Sequence, residues 1–164
     1  MPFAYFNRLS PSDQKIYRQS DEVSAIALTD PKAMGPVITE LEEALESEDR
    51  RRVESLCQLI ADSILAQLGV AAVQIVIREV RPSNPRAELH GLYEPVEPPY
   101  RSRISLWMRT AVREEVVAFK TFFRTLIHEV CHHLDYELLG LGDSFHTEGF
   151  YKRESSLVRQ LIPR

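Results

Sequence analysis

The spacing of hydrophobic positions changes period along this chain, and each change predicts an element. Ile38, Leu41, Ala44 and Leu45 recur at helical spacing, and Val53, Leu56, Ile60, Ile64 and Leu68 repeat the pattern. The acidic-then-basic stretch from Glu46 to Arg52 between them predicts a junction, so residues 37–68 read as two helices ended by Gly69. The period then shortens. Val73 to Val80 is rich in β-branched residues and predicts a strand, Ala87 to Tyr93 a second, and Arg103 to Met108 alternates as a half-buried third. Pro82 to Pro85 marks a turn, and Pro95, Pro98 and Pro99 a stiff connection. Helical spacing returns from about Arg113 to Leu139, where Gly140 and Gly142 stop it, and a closing helix is expected from about Thr147 to Leu161.

The first 35 residues stand apart. Ser10-Pro11-Ser12-Asp13 is a helix-start signal, predicting a short helix over 11–20. Thr29-Asp30-Pro31 and Gly35-Pro36 then break the chain. Residues 1–35 are expected to be an arm, either docked, reaching a partner or covering a cleft, and residues 36–164 the principal domain. The fold class is α+β: N-terminal helices, a small three-stranded sheet of mixed or antiparallel strands, a long helix and a closing helix.

Composition narrows the function classes. The 164 residues are 44% hydrophobic and 27% charged, with a net charge of −4, an ordinary balance for one soluble domain. The acidic balance argues against nucleic acid as a principal partner, and the arginine run 50–52 reads as a solvated face. Two cysteines, Cys57 and Cys131, imply no disulfide framework, and no apolar run has signal-peptide or transmembrane character. A cytoplasmic protein with no membrane partner is expected; the sequence does not address its oligomeric state.

The chemistry is concentrated at residues 128–132, His-Glu-Val-Cys-His. Histidines four apart on a helix lie one turn apart on one face, so both imidazoles can reach one metal ion, with a glutamate at its edge. On a helical wheel Phe119, Phe122, Phe123, Leu126, Val130 and Leu134 form the apolar side. Thr125, His128, Glu129, His132, Asp135 and Tyr136 fall on the other, a polar stripe expected to face a cleft. A catalytic zinc site takes three protein ligands and keeps a fourth position open. The extended motif with glycine at 135 and histidine at 138 is excluded by Asp135 and Leu138. The third-ligand candidates are His146, which follows a glycine-bearing turn, then Glu148 or Glu154 on the closing helix, then Asp135. Asp135 is otherwise placed to accept the spare N–H of a liganding imidazole. His133, Cys131 and His90 read as structural residues.

The order His-Glu-x-x-His, a loop, then His146-Thr147-Glu148-Gly149-Phe150-Tyr151 with Arg153 resembles the small zincin-like metallopeptidases of the SprT-like, YgjP-like and WLM group. The resemblance covers about residues 40–160. It implies a zincin-like fold, one zinc ion on His128, His132 and His146, Glu129 as general base, and Phe150 packed beneath the site. The Cys-rich zinc ribbon of SprT-like repair proteases is absent, the interval from His132 to His146 is longer than in YgjP-like proteins, and residues 1–35 have no counterpart.

The expected function is zinc-dependent hydrolysis of a peptide or protein substrate, with Tyr151, Tyr136 or Arg153 as candidate oxyanion stabilisers. The strand 103–108 is a candidate edge for an extended peptide. Two other readings remain open: a metal-dependent amidohydrolase of a non-peptide substrate, favoured by a closed pocket, and a non-catalytic metal-binding interaction domain, favoured by a four-ligand site.

Overall fold

A computed structural model describes residues 1–82, 89–96 and 100–163. Among them are five α-helices and a three-stranded mixed sheet, an α+β arrangement. After a 3₁₀ turn at Ala4–Arg8 come α1 (Pro11–Asp21), α2 (Gly35–Glu46), α3 (Arg50–Leu68), β1 (Gln74–Val80), β2 (Gly91–Glu94), β3 (Arg103–Arg109), α4 (Phe119–Glu137) and α5 (Glu148–Leu161). No helix among these residues is long and apolar enough to cross a membrane.

Local signals set several helix ends. Ser10 caps α1 by accepting from the Asp13 amide, Asp49 caps α3 through the Arg52 amide, and Gly69 ends α3 at φ 69°. That left-handed conformation carries no side-chain penalty at glycine. The junction between α2 and α3 is a tight turn in which Glu48 also takes a positive φ. The start of α4 differs from expectation. Residues 110–118 are not helical: Val117 N–H bonds Met108 C=O, Thr110 N–H bonds Glu115 C=O, and Val116 bridges to Arg109. These backbone groups are committed to extending β3, so the helix begins six residues later than its periodicity suggests.

The strand order is β1-β3-β2, with β1 parallel and β2 antiparallel to β3. This corrects two expectations. Strand β3 is central, so neither of its edges is open to a peptide. It is also buried on both faces from Ile104 to Met108 rather than alternating. Of the second strand, Gly91–Tyr93 lie where expected, whereas residues 87 and 88 lie outside the described residues, as do 83–85 of the predicted turn and Pro98 and Pro99.

The two sheet edges are treated differently. Along β1, α3 supplies polar side chains where another strand would bond. Gln58 accepts from Ile75 N–H and donates to Val73 C=O, Glu54 accepts from Ile77 N–H, and Arg50 donates to Ile77 C=O. That edge is therefore covered. Among the described residues no strand pairs with the outer edge of β2. The core between sheet and helices includes Leu41, Ile60, Ile64, Ile77, Leu106, Phe122, Phe123 and Leu126.

The first 35 residues pack on α5. Arg153 of α5 is fully buried and donates to the backbone carbonyls of Ser20 and Val23. Gln160 bonds both Leu28 N–H and Ile26 C=O.

Candidate metal centre

Helix α4 presents His128 and His132 one turn apart, their rings 5.0 Å between centroids. His146 comes from the irregular segment between α4 and α5, next to Thr147, whose side chain caps α5 by accepting from Phe150 N–H. The structure brings the three together. Nε2 of His146 lies 3.1 Å from Nε2 of His128 and 3.0 Å from Nε2 of His132. Their ligand atoms all lie within 4.8 Å of one another. Tetrahedral zinc with ~2.0–2.1 Å bonds separates its nitrogens by about 3.3 Å, so the two spacings from His146 fall within a few tenths of an ångström of that geometry.

The opposite ring nitrogens decide what the Nε2 atoms carry. His128 Nδ1 is 2.6 Å from Glu154 Oε1. Burial pushes Glu154 up, but hydrogen bonds from His128 and Arg124 and their charges outweigh it, and the carboxyl is held below its usual value. As a carboxylate it only accepts, so His128 Nδ1 donates. His132 Nδ1 lies 2.7 Å from Ser144 Oγ, whose hydroxyl donates to Asp135 Oδ2 at 2.7 Å, leaving Ser144 to accept from His132. With Nδ1 of His128 and of His132 both donating, their Nε2 atoms converge on His146 Nε2. Burial, then His128 and His146, depress the His132 pKa to about 3, and burial also lowers His146. Three imidazole nitrogens converging on one point suit a divalent metal.

Glu129 lies on the same stripe, buried beneath β2. Its Oε2 is buried with no hydrogen-bond partner among the described residues, and burial raises its pKa to about 7. Gly91 makes this approach possible. A Cβ there would lie 2.9 Å from Thr125 Cγ2 and 3.0 Å from Glu129 Cγ, so β2 reaches α4 this closely only with glycine. Such a carboxyl oxygen beside three converging imidazole nitrogens fits a metal with a water or substrate atom alongside.

Phe150 lies under the cluster, fully buried, its centroid 4.9, 4.8 and 5.2 Å from those of His128, His132 and His146. Two cavities flank the centre. One of about 380 Å³ is lined by His90, Gly91, Arg124, Thr125, the three histidines, Glu129, Tyr151 and Glu154. The other, about 250 Å³, lies between Leu92, Tyr93, Pro95, Tyr136 and Ser144 and shares Gly91, Glu129 and His132 with the first.

The remaining candidates are placed as follows. Asp135 is fully buried and reaches His132 through Ser144 rather than directly. Its other oxygen accepts from Arg153 at 3.0 Å. Glu154 holds the far nitrogen of His128 instead of joining the ligand cluster. Glu148 sits in the first turn of α5, 3.7 Å from the amino terminus. Arg153 is committed to Asp135 and to the arm, which removes it as an oxyanion donor. Tyr136 donates its hydroxyl to Asp143, and burial with that carboxylate pushes its pKa to about 12. Tyr151 is 40% exposed at the rim of the larger cavity. His133 is buried, bonding Ala71 C=O and Tyr93 Oη; Cys131 and Cys57 are buried and free. His90 immediately precedes β2 and lines the larger cavity.

Sequence reasoning missed Glu154 and Ser144 as partners of the liganding rings, and Gly91. A signal existed for Glu154: it stands beside Arg153 on the apolar side of α5 with Phe150 and Leu157, where a charged residue signals a buried, paired role. Comparison with known protein families, curated proteins and solved structures finds no match to this chain.

Proposed function

We propose that this chain is a zinc-dependent metallopeptidase with a zincin-like fold, working in the cytoplasm on peptide or protein substrates. One observation carries the reading: three Nε2 atoms, two of them on rings oriented by hydrogen bonds at Nδ1, converge beside a carboxyl oxygen of Glu129 that has no partner among the described residues. His128, His132 and His146 would hold the zinc, which supplies Lewis acidity toward water and an amide carbonyl.

The chain's own residues do the rest. Glu129 takes the proton of the attacking water and returns it to the departing amine. Its burial and its contact with β2 keep it aimed at one place. Glu154 and the Ser144–Asp135 pair hold the imidazoles in the required tautomer. Tyr151, at the cavity rim and without the carboxylate that occupies Tyr136, is the better placed hydroxyl to meet the developing oxyanion.

An extended substrate would lie along the outer edge of β2, which no described strand pairs, with its scissile bond above Glu129 and side chains in the two flanking cavities. Two cavities meeting at the centre favour a chain running through over a small amide held in a closed pocket. A cluster of three ligands rather than four among the described residues favours an open coordination position over a purely structural metal.

The test is hydrolysis of a quenched-fluorescent peptide library by the zinc-loaded protein. Cleavage should stop with a chelator, return with zinc, and fall about 10²–10⁴-fold in Glu129→Gln while zinc stays bound. Cleavage that survives Glu129→Gln would remove the proposed base.

A further inference from the structure

The three ligands are not equally secured. His128 and His132 are fixed by a 19-residue helix buried over much of its surface. His146 lies in a segment with no regular structure; α4 holds the Leu141–Ser144 part of it, and the first 21 residues hold the part around His146 and Thr147. Tyr5 Oη donates to the backbone carbonyl of His146 itself at 2.6 Å. Ser20 Oγ meets Thr147 Oγ1 at 2.9 Å, and Asp21 Oδ1 accepts from Gly149 N–H at 2.8 Å, at the first turn of α5. Gly149 allows this seating, because a Cβ there would lie 2.5 Å from Ser20 O. On the other side of the segment, the Ile16 side chain packs against Gly142.

A second line runs through the interior. Ser20 accepts from Arg153 through both its carbonyl and its hydroxyl. Arg153 donates to Asp135, Asp135 accepts from Ser144, and Ser144 accepts from His132 Nδ1. Arg153, Asp135 and Ser20 are all fully buried, so these groups have no water to replace a lost partner.

We infer that residues 3–21 are a clamp for the metal centre: docking of this arm on α5 sets the position of His146 and the orientation of His132, and so sets metal affinity. Tyr5, Ser20 and Asp21 are positioning residues, acting through the His146 segment and through Arg153. No residue of the arm lines the cavities that meet at the centre, so it acts from behind the site rather than by covering it. By linkage, whatever factor docking adds to zinc affinity, zinc adds to docking. A partner that peels the arm away would release the metal. The inference rests on the metal reading above, but not on the reaction being peptide hydrolysis.

The test uses the full chain. Zinc affinity is measured by competition with a chromophoric chelator for wild type, Tyr5→Phe, Ser20→Ala and the double variant, with melting curves confirming that each is folded. Tyr5→Phe removes only a hydroxyl at a half-exposed position, so it answers even if Ser20→Ala does not fold. Each single variant should bind zinc several-fold more weakly, and the double variant about 10–100-fold, the usual cost of losing groups that orient metal ligands. In wild type, amide exchange across α1 should slow on adding zinc, and slow less in Tyr5→Phe. Folded variants with wild-type zinc affinity, or α1 exchange indifferent to zinc, would overturn the clamp. A wild-type chain that takes up no zinc overturns both the clamp and the metal reading. Zinc uptake without peptide cleavage counts against the peptidase reading alone.

Discussion

His128 and His132 reach the proposed metal centre from one helix, whereas His146 reaches it from an irregular segment 14 residues further on, and the two cases are held by different physics. For the helical pair, backbone geometry places both rings on one face, and the surrounding core of Phe122, Phe123, Leu126 and Val130 fixes the helix. For His146, no local rule fixes the side chain. Its position depends on Phe150 beneath it, on Thr147 as the α5 cap, and on Tyr5 from more than a hundred residues away. Spacing defines one part of the site, and long-range contacts define the other.

The largest effect should come from the ligands themselves. His132→Ala and His146→Ala should each lose zinc on dialysis, read by elemental analysis, because two imidazoles make a poor catalytic site. If the comparison is right, the two differ elsewhere. His146→Ala should leave the helix and its melting temperature nearly unchanged in metal-free protein. His132→Ala should also unsettle Ser144 and Asp135, which it contacts. Equal melting temperatures for the two would break the distinction.

The groups behind the rings come next. Glu154→Gln and Ser144→Ala should each weaken zinc binding by about 10–100-fold, measured by chelator competition, since each loosens the tautomer of one helical histidine. Zinc affinity unaltered in both would mean that the helix alone orients the rings. A smaller effect is expected at Gly91→Ala. Its added methyl must displace Thr125 or the Glu129 side chain, so kcat should fall while zinc content stays at the wild-type level.

The pH dependence of metal-free stability is the finest test, because two groups oppose each other. Glu129 has a folded pKa of about 7 against an ordinary 4.5. The folded state then binds more protons than the unfolded state across that window, and stability from this group falls as pH rises through it. His132 has a folded pKa of about 3 against an ordinary 6.5, so there the unfolded state binds more protons and stability rises with pH. Glu129→Gln removes the first contribution alone. In metal-free protein the variant should gain stability relative to wild type as pH climbs from about 4.5 to about 7. A difference in denaturation midpoint that stays flat over that range would show that Glu129 is not desolvated.

The same contrast explains what the sequence made legible. The helices, the His-Glu-x-x-His face and Phe150 beneath it follow from periodicity, spacing and resemblance. The start of α4 did not, because residues 113–118 carry a helical pattern while their backbone bonds extend β3. The place of β3 between β1 and β2 did not, because pairing order depends on chain return rather than on local pattern. Nor did the fully buried Arg153–Asp135 pair, whose members look like surface residues until α1 and α5 close over them. Asp135 was legible as a partner for His132, but the serine that stands between them was not.

The central claim is that His128, His132 and His146 hold one zinc ion through their Nε2 atoms beside Glu129. Anomalous diffraction at the zinc edge from crystals of the zinc-loaded chain tests it most directly. The account predicts a single strong peak about 2.0–2.1 Å from all three Nε2 atoms, with the fourth position facing Glu129 rather than filled by a protein side chain. A peak elsewhere, a fourth protein ligand closing the site, or Nδ1 coordination by His128 or His132 would contradict it.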